Sequence, residues 1–193
     1  MADFEKAYKR TMKNEGGAFG YSNNPKDPGG ETIMGISRIN WPQWAGWTFV
    51  DQAKQGSTFP FNLGYYTEIP RLVRLFYKQY FWDIMNLDKL ENQLAAEKIF
   101  DTGVNVGVKV VIRFIQRTLN AANRKGTLWP DIPFDGIFGP ATTAAIIACE
   151  KSGRINGFLA GIKVMQGAHY FMLMEKNQDL EEFYLGWLTR AME

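Results

Sequence analysis

The amino-acid sequence predicts an all-α fold, with a small β-hairpin or loop near its N-terminal end. Apolar residues recur at spacings of three and four over most of the chain, which is the periodicity of helices with one buried face. Glycine, asparagine and proline cluster in residues 18–36, where turns and short extended pieces are expected. No segment alternates apolar and polar residues as the strands of a larger sheet would.

The first helix is expected to begin after Asp3, whose side chain can cap it, and to end at the Gly16-Gly17 pair. Its predicted apolar face contains five residues spaced by threes and fours: Phe4, Ala7, Tyr8, Thr11 and Met12. The stretch from Trp41 to Tyr66 combines tryptophan, proline and glycine and is predicted to be irregular.

Three helices are predicted in the middle of the chain. The first covers residues 69–81 and has Pro70 in its first turn, where a missing amide hydrogen costs nothing. The second covers 93–103 and is apolar on most sides, which predicts a central position. The third, 108–122, is amphipathic.

Three more helices are predicted after the turn-rich text KGTLWPDIPFDGIFGP. A short helix begins at Pro140, and a long one covers residues 154–176. Asp179 and Glu182 have the spacing of a capping box that would open the last helix. The buried stripe of that helix is predicted to contain Leu180, Phe183, Tyr184, Trp187 and Leu188.

Composition and charge exclude several functional classes. The chain has 193 residues, 46% of them hydrophobic, which suffices for one domain or two small packed ones. A net charge of +2 gives no basic stripe for phosphates, so we expect no nucleic-acid partner. Cys149 lies in an apolar run and is predicted to be buried packing, and the single histidine, His169, excludes histidine-rich metal sites.

The N-terminal residues alternate charged and apolar side chains and lack the apolar core of a secretory signal, and no stretch reaches transmembrane length. We therefore expect synthesis as a soluble cytoplasmic chain without a signal peptide and without stable membrane insertion. A substrate outside the inner membrane would then be reached only after export or cell lysis.

Glu15 is the most informative ionisable residue. It follows Thr11 and Met12 by four and three residues, so it continues the apolar face of its predicted helix. Partial burial and the negative pole at the helix C-terminus would both raise its pKa, as a general acid requires near neutrality. The alternative is a frayed terminal residue whose side chain faces water.

The text after Glu15 resembles the glycoside hydrolase family 108 muramidases. Their motifs appear here as Glu15-Gly16-Gly17, then Asp27-Pro28-Gly29-Gly30-Glu31-Thr32, then Gly35-Ile36. Ala18-Phe19 departs from the family, which usually places tyrosine directly after the glycines. The resemblance implies a lysozyme-like fold in which Glu15 donates a proton to the glycosidic oxygen.

The second carboxylate stays open between Asp27 and Glu31. By similarity to phage-type lysozymes, Asp27 is the expected partner of Glu15, and Thr32 helps to hold a water molecule. Asp27 could equally be a turn former before Pro28. Phe19, Tyr21 and Glu31 are predicted to contact the substrate. We expect inversion of the anomeric centre, although the separation of the carboxylates decides this.

The second half resembles the predicted peptidoglycan domain that accompanies the family 108 region. The residues that carry this resemblance are Asp101, Asn105, Gly107, Gln116, Leu119, Asp135, Gly136, Gly139 and Thr142. Asp101 and Asn105 are one helical turn apart and form a polar patch that either a ligand or internal hydrogen bonds must satisfy. We predict both as substrate-binding residues, with internal pairing as the alternative.

Together these patterns predict a catalytic region, residues 1–90, and a peptidoglycan-binding-like helical region, residues 91–193, packed as one compact unit. The expected activity is hydrolysis of the β-1,4 bond after N-acetylmuramic acid by a monomer without cofactor or metal. The expected partner is the glycan strands of peptidoglycan. The alternative functions are a non-catalytic wall binder and an accessory protein for secretion, a role that has been ascribed to similar proteins.

Overall fold

A computed structural model describes residues 1–13, 20–23 and 29–193. The described part is mainly helical with one small sheet, which confirms the predicted fold class. It divides into two compact units. We call Tyr8–Tyr80 the inserted unit, and we call Met1–Ala7 together with Phe81–Glu193 the terminal unit. The predicted functional division after residue 90 stays a prediction.

Helix α1, Phe4–Met12, begins as predicted. The amide of Glu5 donates a hydrogen bond to Asp3 Oδ1 at 2.8 Å, so Asp3 satisfies one of the unpaired amides of the first turn. Ala7 and Thr11 are buried, in agreement with the predicted apolar face.

The inserted unit contains a three-stranded antiparallel sheet in the order β1-β2-β3: Tyr21–Asn23, Glu31–Ile33 and Ile36–Ser37. This confirms the predicted hairpin. Met34 and Gly35 connect β2 to β3 with φ angles of 45° and 80°, and two successive positive φ values suit the twist of a two-residue hairpin. The Tyr77 hydroxyl donates to the Met34 carbonyl at 2.8 Å and holds the turn.

The stretch predicted to be irregular contains regular structure, so that prediction is wrong in part. Helix α2, Trp47–Ala53, buries Trp47, Val50 and Ala53, and the 3-10 helix Phe61–Tyr65 follows. Helix α3, Glu68–Tyr77, has Pro70 in its first turn as predicted. It ends four residues early, because the chain continues as a π-helical turn, Lys78–Trp82.

The terminal unit is a bundle of five α-helices within the described residues: α4 Gln93–Val106, α5 Val108–Ala122, α6 Pro140–Lys151, α7 Ile155–Lys176 and α8 Tyr184–Met192. Helix α7 contacts the other four. The N-terminal segment of the terminal unit, Met1–Ala7, is attached through the Ala2 amide, which donates to the Leu90 carbonyl at 2.7 Å. The boundaries of α5 agree with the prediction.

The last helix differs from its prediction. A 3-10 helix, Gln178–Phe183, precedes α8, and its cap is Asn177, which accepts a hydrogen bond from the Asp179 amide at 3.1 Å. Helix α8 itself has no side-chain cap, so the predicted box of Asp179 and Glu182 does not open it. Phe183 and Tyr184 are 46% and 42% exposed. Of the predicted stripe, only three residues pack against the cluster Tyr170, Met174 and Ala191: Leu180, Trp187 and Leu188.

A buried lysine donates hydrogen bonds to the C-terminal carbonyls of α8. Lys98 on α4 is 6% exposed, and its ammonium group donates to the carbonyls of Arg190 and Ala191 at 3.0 and 2.9 Å. A cation at this position stabilises the carbonyls that a helix C-terminus leaves unpaired.

Two polar side chains of α5 and one at its C-cap form hydrogen bonds with the loop that follows the helix. Gln116, Asn120 and Asn123 are spaced by four and three residues, so they lie on one face. Asn120 exchanges hydrogen bonds with the backbone of Ile132 at 2.8 and 2.9 Å, and Asn123 donates to Asp131 at 2.6 Å.

Gln116 is 1% exposed and makes three hydrogen bonds to the loop. Its amide nitrogen donates to Asp135 Oδ1 at 2.8 Å and to the Ile137 carbonyl at 3.1 Å, and its oxygen accepts from the Gly136 amide at 2.9 Å. Asp135 also accepts from the Ile137 amide at 2.8 Å, so it bonds an amide of its own loop.

None of the described helices combines the length and the hydropathy that a membrane span requires.

Candidate functional site

The predicted site residues fall into three groups. Glu15, Phe19 and Asp27 lie outside the described residues. Tyr21, Glu31 and Thr32 lie on the sheet of the inserted unit. Asp101 and Asn105 lie on α4 of the terminal unit.

The strand register separates the sheet residues into two faces. Tyr21 pairs with Ile33 and Asn23 pairs with Glu31, so these four side chains share one face. Thr32 lies on the opposite face, where it is paired with Ser22 and Ser37.

Glu31 is the one carboxylate on the described strands of the sheet, and three side chains donate hydrogen bonds to it. Its Oε1 accepts from the Lys54 ammonium at 2.5 Å and from the Tyr21 hydroxyl at 3.1 Å. Its Oε2 accepts from Arg38 Nη1 at 2.8 Å. The side chain is 11% exposed. Three donors therefore hold this carboxylate in one orientation.

The electrostatics keep Glu31 ionised and Tyr21 protonated. Burial raises the pKa of Glu31, but the hydrogen bonds from Lys54, Arg38 and Tyr21 outweigh burial and hold the pKa below its ordinary value. Burial and the hydrogen bond to Glu31 raise the pKa of Tyr21 to about 12. Glu31 consequently has no proton to donate at neutral pH.

Arg38 links Glu31 to a second carboxylate on α2. Its two terminal nitrogens donate to Asp51 at 2.7 and 2.5 Å in a bidentate fork. The hydrogen bond from Arg38 lowers the pKa of Asp51, and the bond to Asp51 in turn raises the pKa of Arg38. The guanidinium also lies 4.9 Å from the centre of the Trp47 ring. This arrangement fixes β2 and α2 to each other.

Sequence reasoning missed the partners of Glu31. Asp51 and Lys54 are three residues apart, and this spacing in the sequence indicates an ion pair on one helix face. In the structure their charged atoms are 3.7 Å apart. Arg38 comes seven residues after Glu31 and directly after β3, and no local sequence pattern indicates that the two residues pair.

Two hydroxyl groups fix the glycines that follow Asp27-Pro28. Ser37 Oγ donates to the Gly29 carbonyl at 2.6 Å, and Thr32 Oγ1 donates to the Gly30 carbonyl at 3.2 Å. Gly30 has a φ of 62°, a conformation that side chains other than glycine rarely adopt. Because Thr32 donates its proton to the backbone, its oxygen retains acceptor capacity.

The three tryptophans of the inserted unit mainly pack against other aromatic rings. Trp47 is 3% exposed and donates from Nε1 to the Trp41 carbonyl at 2.8 Å. Trp41 and Trp44 line a cavity of about 250 Å³ with Phe76 and Tyr80. Trp47 therefore packs in the core of the inserted unit.

Internal partners satisfy both predicted polar residues of α4. Asp101 forms an ion pair with Arg190 at 3.0 Å. Asn105 accepts a hydrogen bond from the Tyr170 hydroxyl, which in turn accepts one from the Gln166 side chain at 2.7 Å. The internal pairing that we named as the alternative is present, and substrate binding by these residues stays a prediction.

Two other reactive side chains of the described part, Cys149 and His169, are buried and half-buried. Burial raises the pKa of the Cys149 thiol to about 11, which agrees with a packing role. Burial lowers the pKa of His169, which is half-buried on α7. Among residues 1–13, 20–23 and 29–193, no group of three or more His, Cys, Asp or Glu side chains could hold a metal ion.

Comparisons with known proteins place both halves of the chain. Residues 8–107 match the family model described as glycosyl hydrolase 108, and residues 110–192 match the model described as predicted peptidoglycan domain. Among solved structures, SagA of Brucella abortus is similar in fold, with a TM-score of 0.52 and 19% identity over 98% of this chain and 96% of SagA. No curated protein matches the chain significantly.

Proposed function

Because the chain belongs to the glycosyl hydrolase 108 family, we propose that it cleaves the β-1,4 bond between N-acetylmuramic acid and N-acetylglucosamine in peptidoglycan. Membership makes the chain a glycoside hydrolase, and the match of residues 110–192 to a predicted peptidoglycan domain supports peptidoglycan as the polymer. The identity of the bond and of the reacting residues is our proposal.

Glu15 is the proposed general acid. Cleavage of a glycosidic bond builds positive charge on the sugar ring and negative charge on the leaving oxygen. A protonated carboxyl group next to that oxygen supplies the proton as the bond breaks. Glu15 occupies the position of this acid in the family motif, directly before Gly16-Gly17.

Asp27 is the proposed second carboxylate, and the observation that carries this choice is the bonding of Glu31. Lys54, Tyr21 and Arg38 donate to both oxygens of Glu31, so it is a poor acceptor for a further proton from water. Glu31 instead acts as a structural anion that holds β2. Of the two carboxylates that the motif offers, Asp27 therefore remains for activation of water.

Thr32 is proposed to orient the attacking water. Its hydroxyl donates to the Gly30 carbonyl, which leaves its oxygen able to accept a hydrogen bond from a water molecule. A water held between the base and the sugar requires the wider separation of carboxylates, about 6.5–9.5 Å, that is typical of inverting enzymes. We accordingly propose inversion, with Phe19 contacting the substrate. Tyr21 lies on the face opposite to Thr32 and donates to Glu31, so we assign it to holding Glu31 and not to the sugar.

Three variants test the assignment through release of reducing ends from purified sacculi. We expect Glu15→Gln and Asp27→Asn each to lose activity by at least about 100-fold, the usual contribution of a catalytic acid or base. Glu31→Gln should retain activity within about tenfold, at reduced stability. Glu68→Gln, an exposed glutamate at the start of α3, is the matched control.

Three results would each overturn part of this scheme. Full activity in Glu15→Gln would refute the muramidase proposal, and sacculus binding without release of reducing ends by the native chain would favour a non-catalytic wall binder. If Glu31→Gln melts like the native chain but loses at least about 100-fold in activity while Asp27→Asn stays active, Glu31 is the second carboxylate.

The products identify the bond and the stereochemistry. Mass spectrometry of digested murein should find muropeptides that end in reducing muramic acid, whereas reducing N-acetylglucosamine ends would contradict the proposed bond. Proton NMR should detect the α-anomer as the first product, and a first-formed β-anomer would contradict inversion.

A further inference from the structure

The terminal unit carries an open groove of about 390 Å³ on α5, α7 and the loop that contains Phe134. The groove wall combines two arginines with an aromatic and two thioether side chains: Arg113, Arg117, Phe134, Met165 and Met172. All of these residues lie within the range that matches the predicted peptidoglycan domain, 110–192. Neither the proposed acid nor the proposed base belongs to this range.

Arg113 and Arg117 give the groove a positive charge. They are four residues apart on α5 and therefore lie on the same stripe of the helix. Their guanidinium carbons lie 5.8 and 5.1 Å from the centre of the Phe134 ring, so one aromatic ring contacts both cations. Within the described ranges, neither arginine forms an ion pair with a carboxylate.

The groove is built on fixed elements. Phe134 is 50% exposed, and it directly precedes Asp135, which Gln116 holds from inside α5. The positive φ of Gly136, 75°, brings the turn close to α5, where an added Cβ would lie 3.0 Å from Lys109 Cγ. The loop therefore presents Phe134 to the arginines in a single arrangement.

The charge and shape select one part of peptidoglycan. The sugar rings carry acetamido and hydroxyl groups, and the lactyl carboxyl of muramic acid is consumed in the amide bond to the peptide. The remaining carboxylates belong to the stem peptide, which also presents the methyl groups of its alanines. Arginine binds carboxylates in a bidentate fork, and an aromatic and thioether surface suits methyl groups.

We propose that this groove binds the stem peptide of peptidoglycan, with Arg113 and Arg117 contacting its carboxylates and Phe134 and Met172 contacting its alanine side chains. The inference rests on the proposed function for the identity of the polymer. It assigns the terminal unit the task of recognising the peptide while the inserted unit acts on the glycan.

The test is calorimetric titration of the full chain with the synthetic peptide L-alanyl-γ-D-glutamyl-meso-diaminopimelyl-D-alanine. We expect saturable binding that weakens at least about tenfold in Arg113→Gln/Arg117→Gln, since each charge-assisted pair contributes roughly this factor. Lys125→Gln/Lys151→Gln removes the same charge from exposed positions of the same unit and should bind like the native chain. The peptide with amidated carboxylates should bind as weakly to the native chain as the free peptide binds to the arginine variant.

The proposal is overturned if the native chain does not bind the peptide or if the arginine variant binds it with native affinity. Equal binding of the amidated peptide would also overturn it. Because the peptide has no glycosidic bond, this readout is independent of the muramidase activity. Normal release of reducing ends without peptide binding rejects the groove alone, whereas peptide binding without hydrolysis rejects the proposed activity alone.

Discussion

Replacing Gln116 by alanine should destabilise the terminal unit by about 3 kcal/mol. The side chain is 1% exposed and makes three hydrogen bonds to residues 135–137. A hydrogen bond of a buried side chain contributes about 1 kcal/mol, so the three bonds of Gln116 together contribute about 3 kcal/mol.

The assay is equilibrium unfolding in urea followed by tryptophan fluorescence. Trp129 is a local reporter, because it is buried in the same loop and donates from Nε1 to the Leu119 carbonyl on α5 at 3.2 Å. The midpoint should fall without a change in slope, and the melting temperature should fall by about 6–12 °C. Gln52→Ala, at an exposed position of α2, should stay within about 0.5 kcal/mol of the native chain.

Two further substitutions at this position separate hydrogen bonding from volume. Gln116→Met keeps the length of the side chain but loses its polar atoms, so it should be nearly as destabilising as alanine. Gln116→Glu places a second carboxylate beside Asp135 and should be at least as harmful as alanine. If Gln116→Met is as stable as the native chain, the hydrogen bonds do not hold the loop and our reasoning is refuted.

Three other predictions concern both units. In a thermal melt, Gly30→Ala should lose about 1–2 kcal/mol of stability, because φ is 62° and the new Cβ would lie 2.8 Å from Ile39 Cδ1, and it should also lose part of the activity. The control Gly157→Ala, whose Cβ meets open space, should be neutral or stabilising in the same melt. Because the folded-state pKa of Glu31 is lowered, its stabilisation is present above its unfolded-state pKa, about 4.3, and is lost as the pH falls through the folded-state value. Glu31→Gln should therefore lower the unfolding free energy more at pH 7 than at pH 3, and an equal loss would contradict this. Lys98→Met should cost about 2 kcal/mol in urea unfolding, since two carbonyls of α8 lose their buried donor, and an unchanged midpoint would rule out that cap.

The sequence predicts the elements whose own residues define both their period and their ends. Helix α5 is an example. Its apolar residues keep the helical period from Val108 onward, and Gly107, with a φ of 90°, separates it from α4. Helix α2 was missed because its seven residues follow a segment rich in tryptophan, proline and glycine. No capping side chain marks where the helix begins. Its stability comes from burial of Trp47, Val50 and Ala53, which is tertiary packing that local propensity does not report.

The sequence predicted the site residues that belong to a motif. It did not predict side-chain pairs that only the tertiary fold brings together. The motif indicates Glu31 and Thr32 together, yet the strand register places their side chains on opposite faces of the sheet. The bonds that decide the chemistry of Glu31 come from Arg38 and Lys54, seven and twenty-three residues later. Glu15 and Asp27 lie outside the described residues, so their roles rest on the motif and on the elimination of Glu31.

The terminal unit is discontinuous in sequence, and this matters for dissecting the protein. A fragment of residues 110–192, cut along the family ranges, would lack α4 and with it the lysine beneath the final carbonyls of α8. Such a fragment would expose the apolar sides of α5 and α7 that α4 covers. Its aggregation would then be a consequence of the cut and not a property of the terminal unit. The shortest portion that retains the native packing partners of this unit joins residues 1–7 to 81–193.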